Sequence, residues 1–107
     1  MSSSQAIFDR IRGEFISDLD DRIQSIRLLW QTQLHEGGSA PGYQELARLL
    51  HNLAGAASTF KIERLHDVAR RLENILLTLS TEQCFEMKHD TQEQIDSLIS
   101  HLSSFRL

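Results

Sequence analysis

From Phe15 onward the apolar residues Leu19, Ile23, Ile26, Trp30 and Leu34 recur at intervals of three and four, the period of a one-faced α-helix. A lead-in over roughly residues 5 to 13 carries Ile7, Phe8 and Ile11 and reads as a separate short N-terminal helix. The stretch "HEGGSAPG" at residues 35–42 then breaks the pattern. A second helix is predicted to begin near Pro41 to Tyr43 and to run to about Thr59, with Leu46, Leu49, Leu50, Leu53, Ala57 and Phe60 on its apolar stripe. A third carries Leu65, Val68, Ala69, Leu72, Ile75, Leu76 and Leu79. Ser80 with Gln83 is expected to cap a short turn holding Phe85. Asp90 with Glu93 forms a capping-box signal for a last helix striped by Ile95, Leu98, Ile99, Leu102 and Phe105.

Four one-sided apolar helices with mostly short connections bury their stripes best against one another. The expected fold is therefore all-α, an antiparallel up-down four-helix bundle with a short additional N-terminal helix. At 107 residues the whole chain, 1–107, is expected to be one domain. Hydrophobic residues at 40% and charged ones at 24% give an ordinary globular composition. No apolar run approaches a membrane span, and the start "MSSSQAIFDR" has no signal core. A formal charge of −4, with acids and bases interleaved, argues against a nucleic-acid or anionic-membrane partner. The lone cysteine, Cys84, allows no internal disulfide and fits a reducing, cytoplasmic setting.

The chemistry concentrates in "HNLAGAASTF", residues 51–60. With Leu46 as zero and about 100° per residue, the stripe of the second helix falls within about 60° of it, whereas His51 lies at about 140°. The ring is therefore expected to face solvent. Its neighbours on that surface are Ala47, Arg48, Ala54 and Gly55, with Ser58 one turn beyond and Gln44 one turn before. The imidazole is expected to stand over a shallow floor of Ala47, Ala54, Gly55 and Ser58. Gly55 is the costly choice, because a mid-helix glycine loses about 1 kcal/mol against alanine. Small residues around an exposed histidine suit the close approach of another protein surface.

The stretch "HNLAGAASTFKIERLHDVARRLE", residues 51–73, resembles the signature of histidine phosphotransfer (HPt) domains, the helical modules of multistep two-component phosphorelays. His51, Leu53, Gly55, Ala56, Ala57, Phe60, Leu65, Leu72 and Glu73 match that pattern, and the likeness extends over nearly the whole chain. Two positions depart. Ala54 stands where the family usually has lysine, and Arg48 is a candidate for the missing cation. Lys61 stands where the family commonly has an inter-helix glycine, so the turn is expected to form differently or the helix to run longer.

The resemblance implies a phosphoryl carrier in which His51 accepts the group from a receiver-domain aspartate and passes it to another receiver. Neutral imidazole is a competent nucleophile near neutral pH. The chain shows no nucleotide-binding loop and no acidic cluster suited to Mg²⁺, so the resemblance leaves the aspartate and Mg²⁺ to the partner. Implied partners are response-regulator receiver domains and a hybrid sensor histidine kinase, with the chain itself a monomer. The implied docking surface comprises Gln44, Ala47, Arg48, Ala54, Gly55 and Ser58, with Lys61 and Arg64 at the next turn.

Rival readings carry less. A sensor-kinase dimerisation domain usually has an acidic residue after its histidine, where this chain has Asn52. A di-iron bundle would use Glu63-x-x-His66 and Glu86-x-x-His89, but the remaining core stripes are expected to hold no carboxylate. A docking module of the same fold that carries no phosphoryl group is the nearest alternative, kept open by Ala54. Trp30 and Phe60 are expected in the core, His35 and His101 on the surface, Cys84 in semi-buried packing, and Arg70 with Arg71 on a solvated helix face with Glu73 and Glu63 nearby.

Overall fold

The computed structural model describes residues 3–81 and 89–104, which form four α-helices: α1 Ser3–Glu36, α2 Ala40–Thr59, α3 Glu63–Thr81 and α4 His89–Ser103. Among these residues each helix packs on its neighbours in the chain and α1 also meets α4, so the helices form a ring without diagonal contacts. Three-residue connections after α1 and α2 reverse the chain, as in an up-down bundle. The predicted stripes point inward. Leu19, Ile23, Ile26 and Trp30 meet Leu46, Leu50 and Leu53, Leu65, Leu72 and Leu76, and Ile95 and Leu102 in one buried cluster. Trp30 donates its Nε1–H to Asp96 at 2.8 Å, tying α1 to α4 through the polar edge of a buried ring.

The separate N-terminal helix is not present. α1 runs unbroken through Gly13 for 34 residues, since one glycine costs a helix only about 1 kcal/mol. A Cβ on Gly13 would meet nothing, so no close approach forces a break there. The lead-in is instead held by Phe60, the residue that caps α2. Phe8 and Phe15 lie 5.5 and 5.3 Å from the ring of Phe60, and Arg12 Nε donates to the Phe60 carbonyl at 3.4 Å. Phe60 is accordingly half-buried under α1 rather than deep in the core.

Both ends of α2 are fixed by their local chemistry. At its start Ser39 is extended and its Oγ accepts from the Gly42 amide at 3.1 Å, a hydroxyl cap ahead of Pro41. The buried Gln33 of α1 accepts the Ser39 amide at 3.1 Å, which locks the cap to the preceding helix. Gly38 supplies the turn with φ of 80°, and a Cβ there would collide with the Tyr43 ring.

At the other end Lys61 takes φ of 61°. The Lys61 amide donates to Ser58 at 3.1 Å and the Ile62 amide to Ala57 at 2.8 Å, the paired bonds of a Schellman closure. The turn therefore keeps the left-handed geometry that glycine serves elsewhere, and the helix does not run on. Lysine bears the steric cost of that conformation.

α4 begins at His89, so Asp90 sits in its first turn rather than ahead of it. His35 and His101 are exposed. The expected turn at Gln83 and Phe85, the packing of Cys84, the Glu86-x-x-His89 pair and Phe105 lie outside the described residues or side chains.

Lys61→Gly is expected to raise stability by about 1 kcal/mol, because glycine adopts a left-handed φ without the Cβ penalty. Urea denaturation checks this; an unchanged or lower midpoint contradicts the strained turn.

Candidate functional site

His51 lies in the middle of α2, and its side chain is 64% exposed. The position follows from the helix period. The buried residues Leu46, Ala47, Leu50, Leu53 and Ala54 span an arc ending at about 100° on the count from Leu46, leaving His51 about 40° beyond its edge. α3 packs along that edge. It brings Glu73 against the ring, with Oε2 2.9 Å from Nδ1 of His51.

Glu73 is the residue on which the site turns. Its side chain is only 8% exposed, on the α3 face that also buries Leu65, Ala69, Leu72 and Leu76. The stripes of α1 and α2 bury no carboxylate among the described residues, so Glu73 stands on the one helix that also carries Glu63 and His66. Ion pairing makes this burial tolerable. Oε1 accepts from Nη1 of Arg70 at 3.0 Å, while Oε2 faces His51. Arg70, expected on a solvated face with Glu73 and Glu63 nearby, pairs with Glu73 and is thus tied into the site, with its side chain 48% exposed.

An ionised carboxylate only accepts hydrogen bonds, so the short contact to Glu73 assigns the proton of neutral His51 to Nδ1. Among the described residues this is the one hydrogen bond of the His51 ring. The Nε2 lone pair is left available on an exposed ring. The arrangement has the logic of a histidine oriented by a buried acid, in which the carboxylate fixes the tautomer and stabilises positive charge on the ring.

A shallow depression of about 270 Å³ beside the ring is lined by Gln44, Ala47, Arg48, His51, Glu73 and Leu77. Gln44, Arg48, Gly55 and Ser58 are exposed, as expected. A Cβ on Gly55 would meet nothing, so its missing side chain leaves open space outside the helix.

Ala47 and Ala54 do not form the predicted open floor. Both are buried, Ala54 at 1%, because α3 covers that flank of α2. His66 of α3 brings Nδ1 to 3.0 Å from the Ala54 carbonyl. Ala47 remains at the bottom of the depression with almost no free area, and Ala54 is a helix-packing residue.

Arg48 does not supply a free cation. Its Nε and Nη2 grip Glu45 at 3.0 and 2.6 Å, and the same hydrogen bonding lowers the Glu45 carboxyl below its ordinary value and raises Arg48. Lys61 and Arg64 are exposed but stand beyond the C-terminal end of α2. Lys61 is separated from His51 by ten residues, about 15 Å at helical rise, so neither borders the depression. Glu63 is exposed at the first residue of α3, and no three His, Cys, Asp or Glu side chains among the described residues group to hold a metal ion.

Two site residues escaped the sequence reading in this role. Glu73 had a visible signal, since it falls four residues after Ala69 and three before Leu76, inside the apolar arc of α3. Leu77 had little, because it lies off that stripe; it is 43% exposed beside the ring.

The family model described as "Hpt domain" matches residues 10–105. No curated protein and no solved structure gives a significant match.

Glu73→Ala is expected to shift neutral His51 from the Nδ1–H toward the Nε2–H tautomer. Nitrogen-15 ring shifts read this directly, and an unaltered tautomer contradicts the assigned role of Glu73.

Proposed function

The chain belongs to the Hpt domain family, the phosphotransfer carriers of two-component signalling, and from that premise we propose that His51 is its phosphoacceptor. The observation that supports this most is the Glu73 contact, which holds Nδ1 and leaves Nε2 outward. In the forward step Nε2 attacks the phosphorus of an aspartyl phosphate on a receiver domain. The Nε2–P bond forms, the P–O bond to the aspartate breaks, and the carboxylate leaves with the electron pair. The ring becomes positive as it gives up its lone pair, with Nδ1–H still donated to Glu73, so the buried carboxylate lies where that charge develops. The reverse of these steps delivers the group to the aspartate of a second receiver.

Mg²⁺ and the acidic residues that hold it are assigned to the receiver, where the ion neutralises the phosphoryl oxygens. This chain contributes an oriented nucleophile on a rigid helix, with neither autokinase nor hydrolase machinery. The partners are receiver domains and a hybrid sensor histidine kinase, and the carrier acts as a cytoplasmic monomer. No helix among the described residues is long and apolar enough to cross a membrane. Gln44, Arg48, Gly55, Ser58 and Leu77 are the exposed residues offered to the receiver around His51.

His51→Gln is expected to abolish phosphoryl acceptance from a labelled receiver while the helical circular dichroism is retained. Undiminished labelling overturns the assignment. Failure of the wild type itself to accept the label, with receiver binding intact, favours the docking module without transfer. Gly55→Leu is expected to keep the fold, since the position is open to solvent, and to weaken receiver binding by tenfold or more, about 1.4 kcal/mol. Unchanged affinity in a titration removes Gly55 from the interface.

A further inference from the structure

Charge at the site is balanced through one carboxylate. Glu73 is buried and must be compensated if it is ionised. Two groups touch it, Arg70 at Oε1 and His51 at Oε2. The other charges nearby are committed elsewhere. Arg48 of α2 is bound to Glu45. His66, on the same α3 face two turns before Glu73, holds Nδ1 to the Ala54 carbonyl. α1 and α4 contribute no residue to the lining of the depression. Among the described residues Arg70 is therefore the permanent cation in contact with Glu73.

We infer that Arg70 is a positioning residue for phosphoryl transfer, carrying the counter-charge of Glu73 so that His51 can remain neutral. The inference rests on His51 being the phosphoacceptor. The guanidinium does not lose its proton, whereas His51 must lack one at Nε2 to attack. Arg70 stands three residues before Glu73, on a neighbouring part of the same helix face. From there it takes one carboxylate oxygen and leaves the other to Nδ1. With Arg70 present, the single negative charge meets a fixed positive one, and no second proton on the ring is needed to balance it. Without it, the buried carboxylate is compensated by drawing a second proton onto His51. The imidazolium has no lone pair to give.

This predicts a displaced pH dependence rather than a uniform loss. In Arg70→Ala the pH profile of phosphoryl acceptance is expected to move upward by about half to one unit, so transfer lost near neutral pH returns as the solution becomes more alkaline. Arg70→Lys keeps a cation and is expected to restore most of the profile, while Arg70→Gln is expected to behave like alanine. The ring signals of His51, titrated by NMR in the unphosphorylated protein alone, are expected to move in the same direction. An unmoved ring titration in Arg70→Ala overturns the inference. So does an equal loss of transfer at every pH, which marks direct contact of Arg70 with the phosphoryl group or the receiver. If the wild type accepts no phosphoryl group, the proposed function fails, and the ring titration still decides the role of Arg70.

Discussion

A carboxylate inside the apolar arc of a helix is the constraint around which the α2–α3 half of this bundle is arranged. Glu73 lies between Leu72 and Leu76 on α3, where an unpaired charge is costly. Both of its oxygens are engaged, one by Arg70 from its own helix and one by His51 from α2. The pairing ties α3 to α2 at the exposed histidine. It also explains the small residues near the histidine. Ala47 and Ala54, one turn before and one turn after His51, are buried, and their lack of bulk lets α3 approach until a glutamate reaches the ring. Gly55, facing away from α3, is the small residue that leaves room outside.

The helix carrying His51 is held at both ends as well as in the middle. Gln33 and Ser39 lock its first turn to α1, and the left-handed residue Lys61 closes its last turn against α3. Phe60 then inserts between Phe8 and Phe15 of α1. If His51 is the phosphoacceptor we propose, it gains from such bracing, because in-line attack tolerates little error in position. Retaining a lysine at a left-handed position shows that the turn is dictated by α2 and α3 together, with local preference overridden.

The helices and the outward histidine could be read from the residues because a single period governs each segment. Leu46, Leu50, Leu53 and Ala57 define a face, and His51 falls outside it by simple angular addition. What that addition misses is the width of the buried arc. A single stripe describes contact with one neighbour, whereas α2 meets both α1 and α3, so Ala47 and Ala54 disappear from the surface. Pairing was harder to foresee than placement. Arg48 looks like a free cation until Glu45, three residues earlier, is seen to grip it. Glu73 looks like a surface acid unless its register with Ala69 and Leu76 is counted. The continuity of α1 through Gly13 was hidden for a related reason, since the contacts that hold the lead-in come from Phe60, far away in the chain.

On the reading of His51 as phosphoacceptor, these pairings also bear on how tightly the group is held. Before transfer the charges around the depression cancel, Glu45 with Arg48 and Glu73 with Arg70, beside a neutral imidazole. A phosphoryl group adds about two negative charges, and the ring, made positive by attack, offsets only one of them. Ala54 places no cation beneath the group, and Arg48 is already spent on Glu45. The loaded site is therefore net negative, and the compensation it lacks is the kind that a receiver's Mg²⁺ provides. Such a site holds the group poorly by itself and releases it readily to a partner that brings the missing charge, which is the balance a carrier between two aspartates requires.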